Sequence, residues 1–306
     1  MIYTGLILIV LFIFNSIFKD CISNNIIIIE GVISILLLIF IMIYGTINSN
    51  ILYTTRYKVN INKKCKINQL KIVLIADLHL GYNKGIKLVK KMVKKINDES
   101  PDIVLIAGDI FDNDYDAVEK PKEMIKEFKK IKARYGIYSV YGNHDIKEKV
   151  LLGFTFQNKK QKYSDKRMDK LLKFSKIKLL QDNYILIDDS IYIYGRIDKE
   201  KNKCRKSASY IVKTLDKKNI IIVLDHTPKE LEQLAKARVD LDLSGHTHNG
   251  QIFPLNYLVK LIFKNSYGIK KFYDMTSIVT SGVGVYGPSM RVLSKSEIVS
   301  INIVFK

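Results

Sequence analysis

The sequence predicts a layered α/β domain carried behind a pair of apolar spans, and three observations predict it. Five apolar runs each stop at Asp, Asn or His; amphipathic helical stretches alternate with those runs; and residues 2–18 and 26–47 are almost purely apolar. Ile72-Val73-Leu74-Ile75 leads into Asp77 and His79, and Ile103 to Ala107 into Gly108-Asp109. Ile137 to Tyr141 leads into Gly142-Asn143-His144-Asp145, Ile220 to Leu224 into Asp225-His226, and Val239 to Leu243 into Gly245-His246-Thr247-His248. A short apolar run reads as a buried strand, and in open α/β sheets the ligand crevice lies outside the carboxyl ends of the strands. The chain has 5 histidines, and all of them stand at these run ends. Scattered core or surface histidines have no reason to be placed so.

The elements follow in order. The apolar spans 2–18 and 26–47, separated by the polar link Lys19 to Asn25, are each close to the roughly 20 residues a bilayer core needs. A cleaved leader fits poorly, because no basic residue precedes Leu6 and the apolar content runs on past any cleavage site. Residues 1–50 therefore read as a membrane hairpin, 51–66 as a basic linker and 67–306 as the globular domain. Arg56, Lys58, Lys63, Lys64, Lys66 and Lys71 follow the second span, with no acid between Gly31 and Ala76, which places that flank and the catalytic domain in the cytoplasm of a multi-pass membrane protein.

Within the domain, Ile86, Val89, Met92, Val93 and Ile96 share one face of a helix over Lys84 to Asn97, and Met124, Ile125, Phe128 and Ile131 one over Ala117 to Ala133. Residues 151–176 read as a Lys-rich loop and a short helix Met168 to Phe174; Ile185–Ile187 and Ile191–Tyr194 read as a hairpin. A helix runs through Ile211 and Leu215. Thr227-Pro228 has the form of a helix start, with Thr as cap and Pro in the first turn. Strands from Ile278 and Ile298 close the domain.

Composition narrows the partners. With 50 Lys and Arg against 30 Asp and Glu the chain carries +20, but lysine supplies most of it and no basic cluster is interleaved with aromatics. The charge reads as a solvated surface, and nucleic acid is not the expected partner. Cys21, Cys65 and Cys204 are at unrelated spacings and propose neither a zinc site nor a disulfide framework.

Two carboxylates, an amide and several imidazoles exceed what one tetrahedral ion needs, and suit two divalent ions of the Mn, Fe, Zn or Mg class bridged by a carboxylate. Such a pair clamps a phosphate and lowers the pKa of a bridging water, and a histidine left over from ligation can protonate the leaving oxygen. Asp77-x-His79, Gly108-Asp109, Gly142-Asn143-His144-Asp145, His226 and Gly245-His246-Thr247-His248 together resemble the five-block signature of calcineurin-like metallophosphoesterases, over roughly residues 70–250. The resemblance implies a four-layer α-β-β-α sandwich. It also implies that Asp77, His79 and His248 hold one ion, that Asn143, His226 and His246 hold the other, that Asp109 bridges, and that His144 is the proton donor, oriented by Asp145. The run through Gln251 and the apolar amino terminus are similar to the membrane-associated bacterial branch, which includes pyrophosphohydrolases of UDP-diacylglucosamine; Asn249 stands where that run carries glycine.

The function expected is a membrane-anchored phosphodiesterase or pyrophosphohydrolase, with the lipid bilayer as partner and a phosphorylated small molecule or lipid-linked compound as substrate. A nuclease or protein phosphatase on the same site, and a non-catalytic membrane scaffold that kept its metal site, are the alternatives. Arginine is scarce and suits bidentate phosphate contact, so Arg196 and Arg205 are candidates to read substrate, against the alternative of plain surface charge. Phe253 to Phe272 is an apolar stretch with Lys260 and Lys264 on its flanks, readable as a lid, a membrane-touching element or core.

Overall fold

The computed structural model describes residues 2–18, 23–81, 84–146, 149–151, 154–156, 165–198 and 205–306. Cys21 and Cys204, the centre of the link at 19–25 and most of the Lys-rich stretch at 151–165 lie outside them. Two six-stranded sheets face each other. The first has the order β1 (Leu52–Ile61), β14 (Ser296–Phe305), β2 (Gln69–Ile75), β3 (Ile103–Ala107), β4 (Ile137–Val140), β7 (Ile177–Leu179). The second runs β12 (Gly268–Phe272), β13 (Met275–Val279), β11 (Leu241–Ser244), β10 (Ile220–Leu224), β9 (Ile191–Gly195), β8 (Asn183–Ile187). A separate hairpin joins β5 (Lys149–Leu151) and β6 (Phe154–Phe156).

The alternation of side chains along a strand builds the layers. On β2, Leu70, Ile72 and Leu74 face the opposite sheet, while Val73 and Ile75 face α3 (Ile86–Asp98), α4 (Pro121–Phe128) and α5 (Lys166–Phe174). On β10, Ile220, Ile222 and Leu224 join the same central core, while Ile221 and Val223 pack with α6 (Ala208–Lys213) and α7 (Leu231–Lys236). Both faces of these central strands are buried, which is why they read as unbroken apolar runs. The result is the four-layer sandwich.

Three local readings change. The stretch taken as a basic linker contains β1, paired in parallel with β14 from Leu52↔Ser296 to Ile61↔Phe305. Val59 and Ile61 reach the core while Lys58 and Asn60 point out, an edge-strand alternation that the lysines mask in sequence. The helix expected over Ala117 to Ala133 is only Pro121–Phe128, opened by Lys120 in left-handed backbone and by Pro121 in the first turn. Thr227 does not cap a helix: its hydroxyl donates to Asp198 at 2.7 Å, and α7 starts at Leu231.

At the amino terminus, α1 (Ile2–Ile17) and α2 (Asn24–Ser49) are apolar helices. Only α2 is long and apolar enough to be a candidate membrane span among the described residues. Its carboxyl end is built into the domain: Arg291 donates its backbone N–H to Gly45 O at 2.9 Å, and Asn48 Nδ2 donates to Arg291 O and Ser294 O at 3.0 and 2.9 Å.

Candidate metal centre

All five run ends reach one edge, at the carboxyl ends of β2, β3 and β4 in one sheet and β10 and β11 in the other. Asp77, His79 and His248 form one trio of buried ligand atoms, and Asp109, His226 and His246 a second, each trio within 4.8 Å. Asn143 Oδ1 lies 2.9 Å from both His226 Nε2 and His246 Nδ1, completing the second group. Asp109 Oδ2 stands between the groups, 3.2 Å from His226 Nε2 and 3.9 Å from His79 Nε2. The seven side chains expected as ligands are therefore together, with Asp109 approaching both groups.

The backbone shows what this convergence demands. Asp77, His79, Asp109, His246 and His248 all have left-handed backbone, with φ from 46° to 72°. Such conformations cost of order 1–3 kcal/mol each and persist where the surroundings over-determine them. Here Asp77 N–H donates to Gly108 O, His79 N–H to Asp109 O, and both Asp77 carboxylate oxygens accept from His246 N–H. Asn249 is also left-handed, φ 49° and ψ 38°. Asn enters that region more readily than most residues, so it stands in for the glycine of this run without further change.

Nitrogen faces nitrogen across each group: His79 Nε2 and His248 Nε2 are 3.1 Å apart, as are His246 Nδ1 and His226 Nε2. Lone pairs aimed at one another are held at this distance by a proton or a cation between them, so the donor set fits two divalent ions. The outer contacts agree. His226 Nδ1 donates to Ala107 O at 2.8 Å, which leaves the Nε2 lone pair pointing at Asp109 and Asn143. His79 turns Nδ1 toward Asp112 Oδ1, 3.5 Å away, a charge contact rather than an aligned hydrogen bond. Arg291, fully buried, donates to His248 O at 3.2 Å and faces His248 Nδ1 at 3.3 Å.

Charge is distributed unevenly. Burial pushes the Asp77 carboxyl up to about 6. Burial acts on Asp109 in the same direction, but His226 and His144 override it and hold that carboxyl well below its usual range. Burial lowers the His248 ring, with His79 and Arg291 adding to the effect. The group in the bridging place is thus the one held most firmly as an anion.

The His144 ring stands edge-on to that of His79, with centroids 5.2 Å apart, and its backbone N–H donates to Asp109 Oδ1 at 2.7 Å. Its orientation corrects the sequence reading. Asp145 does not touch the ring: its oxygens accept from Phe111 N–H and Gly142 N–H, both at 2.8 Å, so it shapes the loop. The ring instead pairs through Nδ1 with Asn113 Oδ1 and packs on Tyr286, with ring centroids 4.5 Å apart. Burial lowers the His144 imidazole to about 4, against the pull of Asp109.

Arg196 and Arg205 lie outside both ligand groups. They are buried around Asp225 and Glu230: Arg196 Nη1 is 3.1 Å and Arg205 Nη1 3.0 Å from Asp225 Oδ2, and both contact Glu230 Oε2. They are neither plain surface charge nor in contact with a ligand residue's side chain. Asp225 in turn accepts the His226 backbone N–H at 2.9 Å, so the arginines brace the β10 loop.

Asn113, Asp112, Tyr286 and Arg291 are site residues that sequence reasoning missed. Asp112 and Asn113 follow the Gly108-Asp109 block closely enough to have been weighed with it; Tyr286 and Arg291 carry no local signal.

Comparison with known proteins follows the same outline. The family model for calcineurin-like phosphoesterases matches residues 70–250. A Campylobacter jejuni protein named an uncharacterized metallophosphoesterase is 32% identical over 278 residues, 88% of this chain and 68% of that one. One from Helicobacter pylori strain 26695, named likewise, is 32% identical over 78% of this chain and 60% of its own. A Danio rerio transmembrane protein with metallophosphoesterase domain is 30% identical over 77% of this chain and 53% of its own. The chain thus spans about half to two thirds of these relatives.

Proposed function

The chain belongs to the calcineurin-like phosphoesterases, a membership that implies metal-dependent phosphoester hydrolysis, and from that premise we propose a membrane-anchored, two-metal hydrolase of phosphodiester or pyrophosphate bonds. One observation carries the reading: Asp109 belongs to the second trio of ligand atoms, 3.2 Å from His226 Nε2, and the same Oδ2 reaches to 3.9 Å from His79 Nε2 of the first. Asp77, His79 and His248 would hold one divalent ion, Asn143, His226 and His246 the other, and Asp109 both. Bound there, the ions supply Lewis-acid stabilisation of the phosphate and a nucleophile from water at neutral pH.

The chain's own groups do the rest. Asp109 keeps its charge, Ala107 O fixes the His226 tautomer, and Asn113 and Tyr286 hold the His144 ring at the edge of the pair. His144 delivers a proton to the leaving oxygen. Burial keeps its ring largely neutral at pH 7, so it acts once an anionic substrate raises its proton affinity. The lipid anchor is α2, with α1 as the other arm of a multi-pass hairpin. The acid-free lysine flank favours a cytoplasmic catalytic domain, acting on a phosphorylated small molecule or a lipid-linked substrate.

The test is hydrolysis by the full chain in detergent, supplied with manganese, zinc or magnesium, on bis-p-nitrophenyl phosphate, p-nitrophenyl phosphate and a lipid-linked pyrophosphate. Two ions per chain and metal-dependent cleavage of a diester or pyrophosphate are the expected result. Cleavage of the monoester alone would overturn the bond type, and stoichiometric binding of a single ion the bridging role of Asp109.

A further inference from the structure

The helix α8 (Leu255–Ile262) is the piece of the domain with least to cover it. Tyr257, Leu258, Leu261 and Ile262 are all exposed, Leu261 to 84% and Ile262 to 71%, while Asn256 on the opposite side is buried. Lys260 and Lys264 stand on its flanks. Of the readings open for this stretch, core does not fit α8, whose apolar side chains are exposed; the stretch ends in β12.

The position of α8 is fixed by the segment that also receives the end of α2. Arg291 N–H and Asn48 Nδ2 tie residues 291–294 to α2, while Val292 N–H donates to Gln251 O at 3.0 Å and Phe253 N–H to Val292 O at 3.1 Å. The same segment thus bonds the end of α2 on one side and the chain leading into α8 on the other. Ile43, Tyr44 and Ile47 on the last turns of α2, and Leu293 on the shared segment, are exposed as well. A 26-residue helix is about 39 Å long, more than the roughly 30 Å of a bilayer core, so its last turns sit at the lipid surface.

Taking α2 as a span, as proposed above, we infer that α8 lies in the surface of the same bilayer. Tyr257, Leu258, Leu261 and Ile262 enter the acyl boundary, and Lys260 stays among anionic headgroups, with Lys264 beside it paired to Glu232. The occupant is lipid because the exposed face continues from a helix that is apolar on every side, and because lysine flanks with tyrosines at the boundary match the interface chemistry. The site follows from this placement: α8 leads directly from the turn His248–Gly250, and the Phe263 ring at its far end packs edge-on against His246 at 5.8 Å. Docking α8 sets the metal centre at headgroup height.

The chain contains no tryptophan, so Leu261→Trp supplies a single reporter at a position open enough to accept it. The full chain is reconstituted into phosphatidylcholine–phosphatidylglycerol vesicles with brominated acyl chains, with Phe174→Trp, exposed on α5, as the comparison. Leu261→Trp emission that is blue-shifted and quenched at least twofold by brominated lipid, with Phe174→Trp unaffected, is the expected result. Vesicle-bound protein whose Leu261→Trp emits as in water overturns the docking of α8 while leaving α2 as a span. Emission that is blue-shifted but unquenched means α8 is covered by a second copy or another protein, and also overturns it. A chain that fails to float with the vesicles overturns the spanning reading and this one together.

Discussion

Gly142 is where one methyl group would test the whole centre. Its backbone is not left-handed, so alanine is conformationally acceptable there, and what excludes a side chain is space alone. A Cβ on Gly142 would stand 2.7 Å from Asp109 N and 2.7 Å from His226 Cε1, and closer still to Asp109 Oδ1, where ordinary contact begins at 3.4 Å. The bridging carboxylate and a ligand of the second ion must therefore retreat by roughly 0.7 Å or more, and a misplacement near 1 Å costs on the order of 100-fold in rate. Gly142→Ala is expected to lose about that much in kcat/KM on bis-p-nitrophenyl phosphate and to bind less than two ions per chain, while its Tm shows a folded protein. Gly85→Ala is the comparison, because its methyl meets only the end of the exposed Glu119 side chain. Metal content and kcat/KM both unchanged in Gly142→Ala would refute the crowding of Asp109 and His226 against this turn.

Four further outcomes test the proposed reading. Asp109→Asn removes the anion shared by both groups, so metal analysis should show the pair lost along with activity while the fold persists; two ions still bound would sink the bridging assignment. His144→Ala should keep both ions and lose about 10²–10⁴-fold in turnover, less for p-nitrophenol than for alkoxide leaving groups, with Asn113→Ala showing a smaller loss of the same pattern. Burial raises the Asp242 carboxyl from 3.8 to about 7, so the folded state keeps a proton that the unfolded state has lost between those values. Stability should then fall as pH rises through that window, by at most about 4 kcal/mol; Asp242→Asn should flatten the dependence in urea titrations at pH 5 and pH 8, and an equal slope in both proteins would count against it. Fusions after Asn60 and at the carboxyl terminus should give fluorescent green protein and no alkaline phosphatase activity, whereas the reverse at both points would put the domain outside.

The sequence displayed the ligands because each sits at the end of an apolar run, and a strand end is a local feature. Asp77, His79, Asp109, Asn143, His226, His246 and His248 could be read without knowing how the strands pair, since any α/β sheet delivers its strand ends to one edge. Their supports could not. Arg291 reaches His248 across 43 residues, and Tyr286 reaches His144 across a still longer stretch. Arg196 and Arg205 were singled out for being scarce, yet scarcity does not distinguish a guanidinium aimed at substrate from one closed off by Asp225 and Glu230. β1 was hidden for a related reason: Arg56, Lys58 and Asn60 mark solvent on one face, and only the pairing with β14, more than 240 residues away, shows that the other face is core.

The exchange of Asn113 for Asp145 beside His144 bears on the chemistry as well as on the reading. A carboxylate on Nδ1 would favour the imidazolium at all times; an amide oxygen accepts the same N–H without that charge. Asn113 therefore fixes the ring while leaving it largely neutral, and Asp109 is the main nearby charge that raises it. In the proposed mechanism such a weakly held proton suits a group that must give it up to a leaving oxygen rather than keep it. Asn113→Asp distinguishes the two cases: it should shift the alkaline limb of the kcat profile, where a proton donor loses its proton, to higher pH with both ions retained, and a profile unmoved by the added charge would show that the side chain at 113 does not govern the proton on His144.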